Sequence, residues 1–179
     1  MSRISACVAV LVGLLVPVAA RAQTQPQTQP HFLVGVHGGF NFGDGDIHDE
    51  RIGVQGSIPL VWWLTADPVL SYLYNFPDDP TGVYEGSAWE AYFTVRVHPL
   101  GNDSFLSVGY GVTMVHASLR TKDHVSSGSD TNGTDVGVIG LTYPKGRVRP
   151  FADMYLVDLL ERESAVGGHL LFGVNLRIP

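Results

Sequence analysis

The chain has 179 residues, a formal net charge of −6 and a single cysteine, Cys7. An acidic chain is a poor match for nucleic acid, and one cysteine excludes an internal disulfide framework and a multi-thiolate metal site. The length corresponds to about one domain, which is large enough to bury a core without covalent cross-links.

The first 22 residues are typical of a secretory signal peptide. A positively charged start precedes the apolar run "ISACVAVLVGLLVPVAA", and "ARA" before Gln23 provides a small-residue cleavage site. Loss of the two arginines in this segment takes the 11 basic residues to 9 against 17 acidic ones, a mature charge of −8. The polar repeat "QTQPQTQP", 23–30, predicts a flexible leader, and the folded domain is expected at 31–179.

From His31 onward, alternation of period two predicts eight strands and no helix. The expected strands are 31–42, 51–60, 64–76, 87–98, 104–119, 134–143, 148–159 and 168–178. Connections after the odd-numbered strands are long and acidic, whereas those after the even-numbered strands are short. This order favours an all-β fold, an eight-stranded antiparallel up-and-down barrel in which closure removes exposed edges.

The composition of the two strand faces distinguishes a membrane barrel from a soluble one. One face is large and apolar, as in Leu170, Phe172, Val174, Leu176 and Ile178 of the last strand. The other face is rich in Gly, Ser and Ala, with scattered charges and no lysine. Small residues with a few long charged ones suit a narrow lumen, and an apolar, aromatic band suits lipid. We therefore predict a transmembrane barrel with a packed polar lumen.

Strand parity places six charged residues in this lumen. Because buried charges must be paired, we predict an ion-pair network that plugs the barrel and leaves no continuous pore. Glu90 or Asp153 is expected to pair with Arg96 or Arg149. The six residues are Asp67, Glu90, Arg96, Arg149, Asp153 and Arg177.

Aromatic residues are expected to form a belt at each membrane interface. Trp62 and Trp63 fall at a short turn, and Tyr84 and Trp89 fall near the end that carries the long loops.

With these features the chain resembles the small outer-membrane β-barrel family, the OmpA- and OmpX-like group of Gram-negative envelopes. The resemblance covers 31–178 and is carried by "VGVHGGFNFG", "RPFADMYL" and "GVNLRI". It implies an outer-membrane location, contact with membrane lipid and lipopolysaccharide, and insertion by the barrel-assembly machinery. Family members commonly end in an aromatic residue that this machinery reads, whereas this chain ends in Ile178 and Pro179. That departure bears on the efficiency of insertion or the completeness of the last strand.

Two alternatives stay open at this point. "HASLR" places His116 and Ser118 on the outer face of strand five, which resembles the His-x-Ser pair of outer-membrane lipid A deacylases. A serine nucleophile needs a base and a group that orients the base, but Leu119 replaces the family's Asn and Asp130 is the nearest acid. An enzyme is therefore not expected. The other alternative is a soluble periplasmic barrel that binds an apolar ligand inside.

Neither a cofactor nor a metal ion is expected. The histidines lack ligand spacing, and the acidic segment "GDGDIHDE" breaks the EF-hand order, which predicts a solvated loop. We expect an envelope-structural or surface-interaction role in which the external loops, above all 121–133, carry any specificity for a partner that the sequence does not identify.

Overall fold

The computed structural model describes residues 31–43, 46–74, 84–101, 103–121, 127–159 and 167–178, and these form one closed antiparallel barrel. The strands are β1 (Phe32–Gly43), β2 (Asp46–Val61), β3 (Leu64–Leu73), β4 (Tyr84–Val97), β5 (Leu106–Thr121), β6 (Ser127–Thr142), β7 (Val148–Val157) and β8 (Gly168–Ile178). Each strand pairs with its neighbour in sequence, and β1 closes the barrel against β8. The predicted eight-stranded up-and-down barrel is confirmed. None of the described residues forms a helix long and apolar enough to cross a membrane.

The predicted signal peptide and leader, 1–30, lie outside the described residues. The chain enters β1 beside the end of β8, where Phe32 pairs with Ile178. We call this end, with the three short turns, the short-turn end, and the opposite end the long-loop end.

Several strands extend differently from their predicted ranges at the long-loop end. β2 begins at Asp46 rather than 51, β4 at Tyr84 rather than 87 and β6 at Ser127 rather than 134, while β3 ends at Leu73 rather than 76. The β5–β6 ladder continues as far as the pair Arg120 and Ser127. Backbone hydrogen bonds do not require apolar side chains, so polar strand segments without apolar alternation were wrongly predicted as loops.

Strand β4 shows most clearly which face points inward. Ala88, Glu90, Tyr92, Thr94 and Arg96 are at most 5% exposed, whereas the alternate positions Trp89, Phe93 and Val95 are at least 40% exposed. In β8 the apolar set again faces outward, with Phe172 50% exposed and Leu176 49% exposed. The barrel is therefore apolar on the outside.

The lumen is less uniformly polar than predicted. Beside its charged groups it contains a buried apolar and aromatic cluster of Val69, Tyr92, Val136, Val138, Phe151, Tyr155 and Leu171. The difference arises largely in β6 and β7, where apolar residues occupy both faces and alternation gives only a weak signal. Large side chains therefore fill space that a purely polar lumen would leave to water.

At the short-turn end, the β4–β5 turn packs on the β2–β3 turn. Gly101 has a φ of +83°, a left-handed conformation that favours glycine. A Cβ at this position would also lie 3.1 Å from Cε3 of Trp62. The turn thus needs glycine both for its backbone and for its contact with the indole.

Candidate functional site: a paired-charge lumen and two barrel ends

The first group of charges lies in the half of the lumen nearer the long-loop end. Arg51 of β2 contacts Glu90 of β4 through Nη1, and the two side chains are 0% and 3% exposed. The same Nη1 donates to the Tyr92 hydroxyl at 2.5 Å. His169 of β8 lies 3.3 Å from Glu90 Oε1 through Nε2 and 3.0 Å from Arg51 Nη2 through Nδ1. Thr113 of β5 also donates to Glu90 Oε1, at 3.4 Å, so residues of four strands meet around one buried carboxylate.

The second group lies nearer the short-turn end. Arg96 is 2.7 Å from Asp67 through Nε and 2.8 Å from Asp153 through Nη1, and its Nη2 donates to the Tyr155 hydroxyl at 2.5 Å. Opposite this arginine lies Gly140, where a Cβ would come within 2.5 Å of Asp153 Oδ1 and 2.8 Å of Arg96 Nη1. The missing side chain leaves the space that this ion pair occupies.

Two tyrosine rings connect the groups. Tyr92 and Tyr155 have ring centroids 4.7 Å apart, and each hydroxyl accepts from a different arginine. Both residues are almost completely buried. The contact therefore continues the chain of packed side chains from Glu90 at one end to Asp67 at the other.

The other two predicted luminal charges lie at the short-turn end. Arg149 is buried and donates to Asp103 of the β4–β5 turn at 2.6 Å. Arg177 is half-buried, and its backbone N–H donates to the carbonyl of Arg147. Within the described ranges, no ion pair is found for the Arg177 side chain. Of the six predicted residues, the structure thus brings together only Asp67, Arg96 and Asp153.

Of the expected pairings, the one between Asp153 and Arg96 forms, whereas Glu90 pairs with Arg51 instead. Glu90 and Arg96 lie six residues apart on one strand, a separation of roughly 20 Å at about 3.3 Å per residue. The actual partner, Arg51, has luminal parity in β2 and could have been found by the same alternation. Asp103 and His169 were also missed. Asp103 lies in a turn and His169 at the start of β8, where alternation is too weak a signal to place a side chain.

His98 follows the last residue of β4, at the short-turn end. Its Nε2 lies 3.0 Å from the Thr65 hydroxyl. Burial, together with the nearby Arg96, lowers the pKa of His98 to about 4 against an opposing effect of Asp67. The imidazole is therefore neutral at pH 7 and adds no charge to the lumen.

The predicted interface aromatics occupy both ends of the barrel. Trp63 is 40% exposed in the β2–β3 turn, and Trp62 beside it is half-buried against Gly101. At the other end Trp89 is 48% exposed and packs against Tyr72, with centroids 4.9 Å apart. Tyr84 begins β4, and its side chain lies outside the described residues.

The candidate dyad on β5 is exposed but not assembled for catalysis. His116 Nδ1 lies 2.9 Å from the Thr131 hydroxyl, a poor orienting group compared with a carboxylate. Asp130 lies opposite Ala117 in the ladder, on the face opposite to that of His116 and Ser118. Its carboxylate accepts from the backbone of Thr131 and from the amide of Asn132. The acid that would complete a triad thus points away from the base.

No family model matches this chain, and no curated protein matches it in sequence. Solved structures nevertheless share its fold. Ail, the attachment invasion locus protein of Yersinia pestis, is 12% identical with a TM-score of 0.53 over 83% of this chain and 97% of that chain. The N-terminal β-barrel domain of Pseudomonas aeruginosa OprF is 11% identical with a TM-score of 0.56, over 82% and 97%. Neisserial surface protein A is 10% identical with a TM-score of 0.50, over 83% and 96%. The chain thus has the fold of the small eight-stranded outer-membrane barrels.

Proposed function

We propose that this protein is an integral outer-membrane β-barrel with a closed lumen, whose role is structural in the envelope or lies in surface interaction through its acidic external loops. The observation that carries the proposal is the outward exposure of large apolar side chains on every strand. In water such a belt would far exceed the apolar patch that a soluble monomer carries. In a bilayer this belt is solvated by hydrocarbon, while closure of the barrel pairs the backbone hydrogen-bonding groups of every strand.

The occupied lumen argues against the soluble, ligand-binding alternative. An apolar ligand would need an apolar cavity, but the centre of the barrel holds Arg51, Glu90, Arg96 and Asp153 with the two tyrosines between them. Expelling these groups would leave buried charges without partners. The same packing argues against a continuous water-filled pore.

The charge of the loops limits what the external surface binds. Ail has been solved in complex with the heparin analogue sucrose octasulfate, a polyanion. In this chain the connections at the long-loop end, with the strand ends beside them, are acidic, as in "PDDPTGVYEG" and "ERESAVG". A cationic or neutral surface partner therefore fits these loops better than a polyanion.

The decisive experiment is gel mobility with and without boiling, on protein taken from the outer-membrane fraction. A detergent-resistant barrel migrates differently before and after heating, and the processed chain should begin at Gln23. Recovery in the soluble periplasmic fraction without a heat shift would contradict the proposal and favour the inward-facing apolar barrel.

Conductance tests the closed lumen separately. In planar bilayers the folded protein is expected to show no steady ion current, because side chains fill the barrel. Glu90→Ala, which removes the carboxylate at the centre of the first group, is the variant expected to open a path. Steady channels in the wild-type protein would refute the closed lumen and leave the membrane location intact.

A further inference from the structure

The short-turn end carries a concentration of positive charge that the proposed structural role does not use. Apart from Arg96 and its two acidic partners, the described residues at this end include four Lys or Arg residues and a single acid, Asp103. Asp103 is already paired with the buried Arg149. The three remaining cations, Lys145, Arg147 and Arg177, are called here the basic rim. Excess positive charge at one end calls for an anionic partner.

The three cations lie close together in the fold. Lys145 and Arg147 belong to the β6–β7 turn and are both exposed. Arg177 lies opposite Arg147, since its N–H donates to the Arg147 carbonyl at 2.8 Å and the next register pair is Val148 with Leu176. The turn that separates the two exposed cations is fixed by Gly146, whose φ is +87°.

Next to the basic rim the outer wall is strongly apolar. Tyr143 is 57% exposed, Val148 is 55% exposed and Leu176 is 49% exposed, all within two residues of a rim cation along the chain. Arg147 and Arg177 lie opposite each other on the luminal parity, so they stand at the mouth of the barrel, one residue beyond the outward-facing Val148 and Leu176. A ligand that lies across this edge meets positive charge at the mouth and an apolar surface on the wall beside it. A phospholipid matches both features, because its phosphate is anionic and its acyl chains are apolar. A soluble polyanion would use only the positive charge.

We propose that the basic rim binds the phosphate headgroup of anionic phospholipids in the leaflet that faces the short-turn end, with their acyl chains along Tyr143, Val148 and Leu176. This inference rests on the proposed membrane location. The acidic connections at the opposite end repel the same lipids, so the charge distribution assigns anionic lipid to one leaflet. Each rim cation contributes about fivefold to the preference for anionic over zwitterionic lipid at low salt.

His31 supports the presence of a positive field at this site. Burial and the charge of Arg177 lower the pKa of this histidine, with a smaller opposing effect from Asp103. His31 precedes Phe32, which pairs with Ile178 at the end of β8, so this field acts beside the rim.

The test is native mass spectrometry of the full, detergent-folded barrel titrated with short-chain phosphatidylglycerol or phosphatidylcholine. The wild-type protein should bind the anionic lipid at least tenfold more tightly, and Lys145→Gln/Arg147→Gln/Arg177→Gln should bind both alike. Arg147→Gln alone should lose about fivefold. Arg120→Gln, which removes one arginine at the long-loop end, should change nothing and serves as the matched control.

Three outcomes would overturn the inference. These are equal binding of the two lipids by the wild-type protein, an equal loss in Arg120→Gln, and competition by glycerol phosphate as strong as that by the lipid, which would mean a free-phosphate site. Heat-shifted gel mobility is recorded for every variant, and if the triple variant does not fold, Arg147→Gln decides. A wild-type protein that never folds in detergent or bilayers would refute the proposed function itself.

Discussion

At the scale of single residues, the pair Arg51 and Glu90 should be strongly coupled. Both side chains are buried, so removing one leaves an uncompensated charge that costs about 3–5 kcal/mol. Glu90→Gln and Arg51→Met should each destabilise the barrel in urea unfolding from lipid vesicles, and the double variant should recover much of the loss.

The control for this cycle is Glu90 with Arg96. These residues are too far apart along β4 to interact directly, so their effects should add to within about 0.5 kcal/mol. Strong coupling there, with none between Arg51 and Glu90, would contradict the pairing seen in the structure.

Gly140 tests the space beside the second ion pair. In Gly140→Ala the new methyl group would displace the buried side chains of Asp153 and Arg96. Overpacking of this kind costs about 1–3 kcal/mol. Gly133→Ala is the matched variant, since its Cβ would meet nothing closer than 3.4 Å. Equal stability of the two variants would show that the ion pair tolerates displacement.

His98 gives the barrel a specific pH dependence. Its pKa is about 4 in the folded protein and about 6.5 in the unfolded chain, so protonation favours unfolding. The stabilising contribution is present above pH 6.5, falls as the pH is lowered from 6.5 to 4, and is absent below that range. In urea unfolding, His98→Gln should therefore show a shallower loss of stability than the wild-type protein between pH 6.5 and 4. Parallel curves would place the titration elsewhere.

At the scale of elements, the β5–β6 hairpin extends beyond the apolar belt. Outward positions of β5 are apolar as far as Met114 and polar at His116 and Ser118, although the ladder continues. Arginine on a lipid-facing strand position costs about 2–4 kcal/mol at the bilayer midplane and little outside it. Val112→Arg should consequently destabilise the folded barrel in vesicles, while His116→Arg should leave its free energy of unfolding nearly unchanged. Equal losses would mean that the belt reaches further up the hairpin.

The same hairpin shows why strand ends were predicted poorly. Apolar alternation marks the apolar belt on the outer wall, and it ends where the strand leaves that belt. The pairing of Ala117 with Asp130 and of Ser118 with Ser129 leaves no comparable trace in the sequence. The ladder therefore continued through residues that read as a loop.

At the scale of the whole molecule, the sequence alone determined the class of the protein. Period-two alternation, an even number of strands and the alternation of long and short connections were enough to predict a closed barrel with its apolar face outward. These signals are local, because side-chain direction in a strand depends only on parity.

Which luminal charges meet was decided only by the tertiary structure. Parity places Glu90, Arg96 and Arg51 inside, but their heights along the barrel axis depend on the register of successive ladders. The offset between neighbouring strands adds up from one pair to the next around the barrel. As a result Glu90 meets Arg51 and His169, whereas Arg96 meets Asp67 and Asp153. The basic rim arises in the same way, since Arg147 and Arg177 become neighbours only when β7 and β8 pair. The direction of a side chain is set by the local strand. Its height along the barrel axis and its neighbours on other strands are set by the closed sheet.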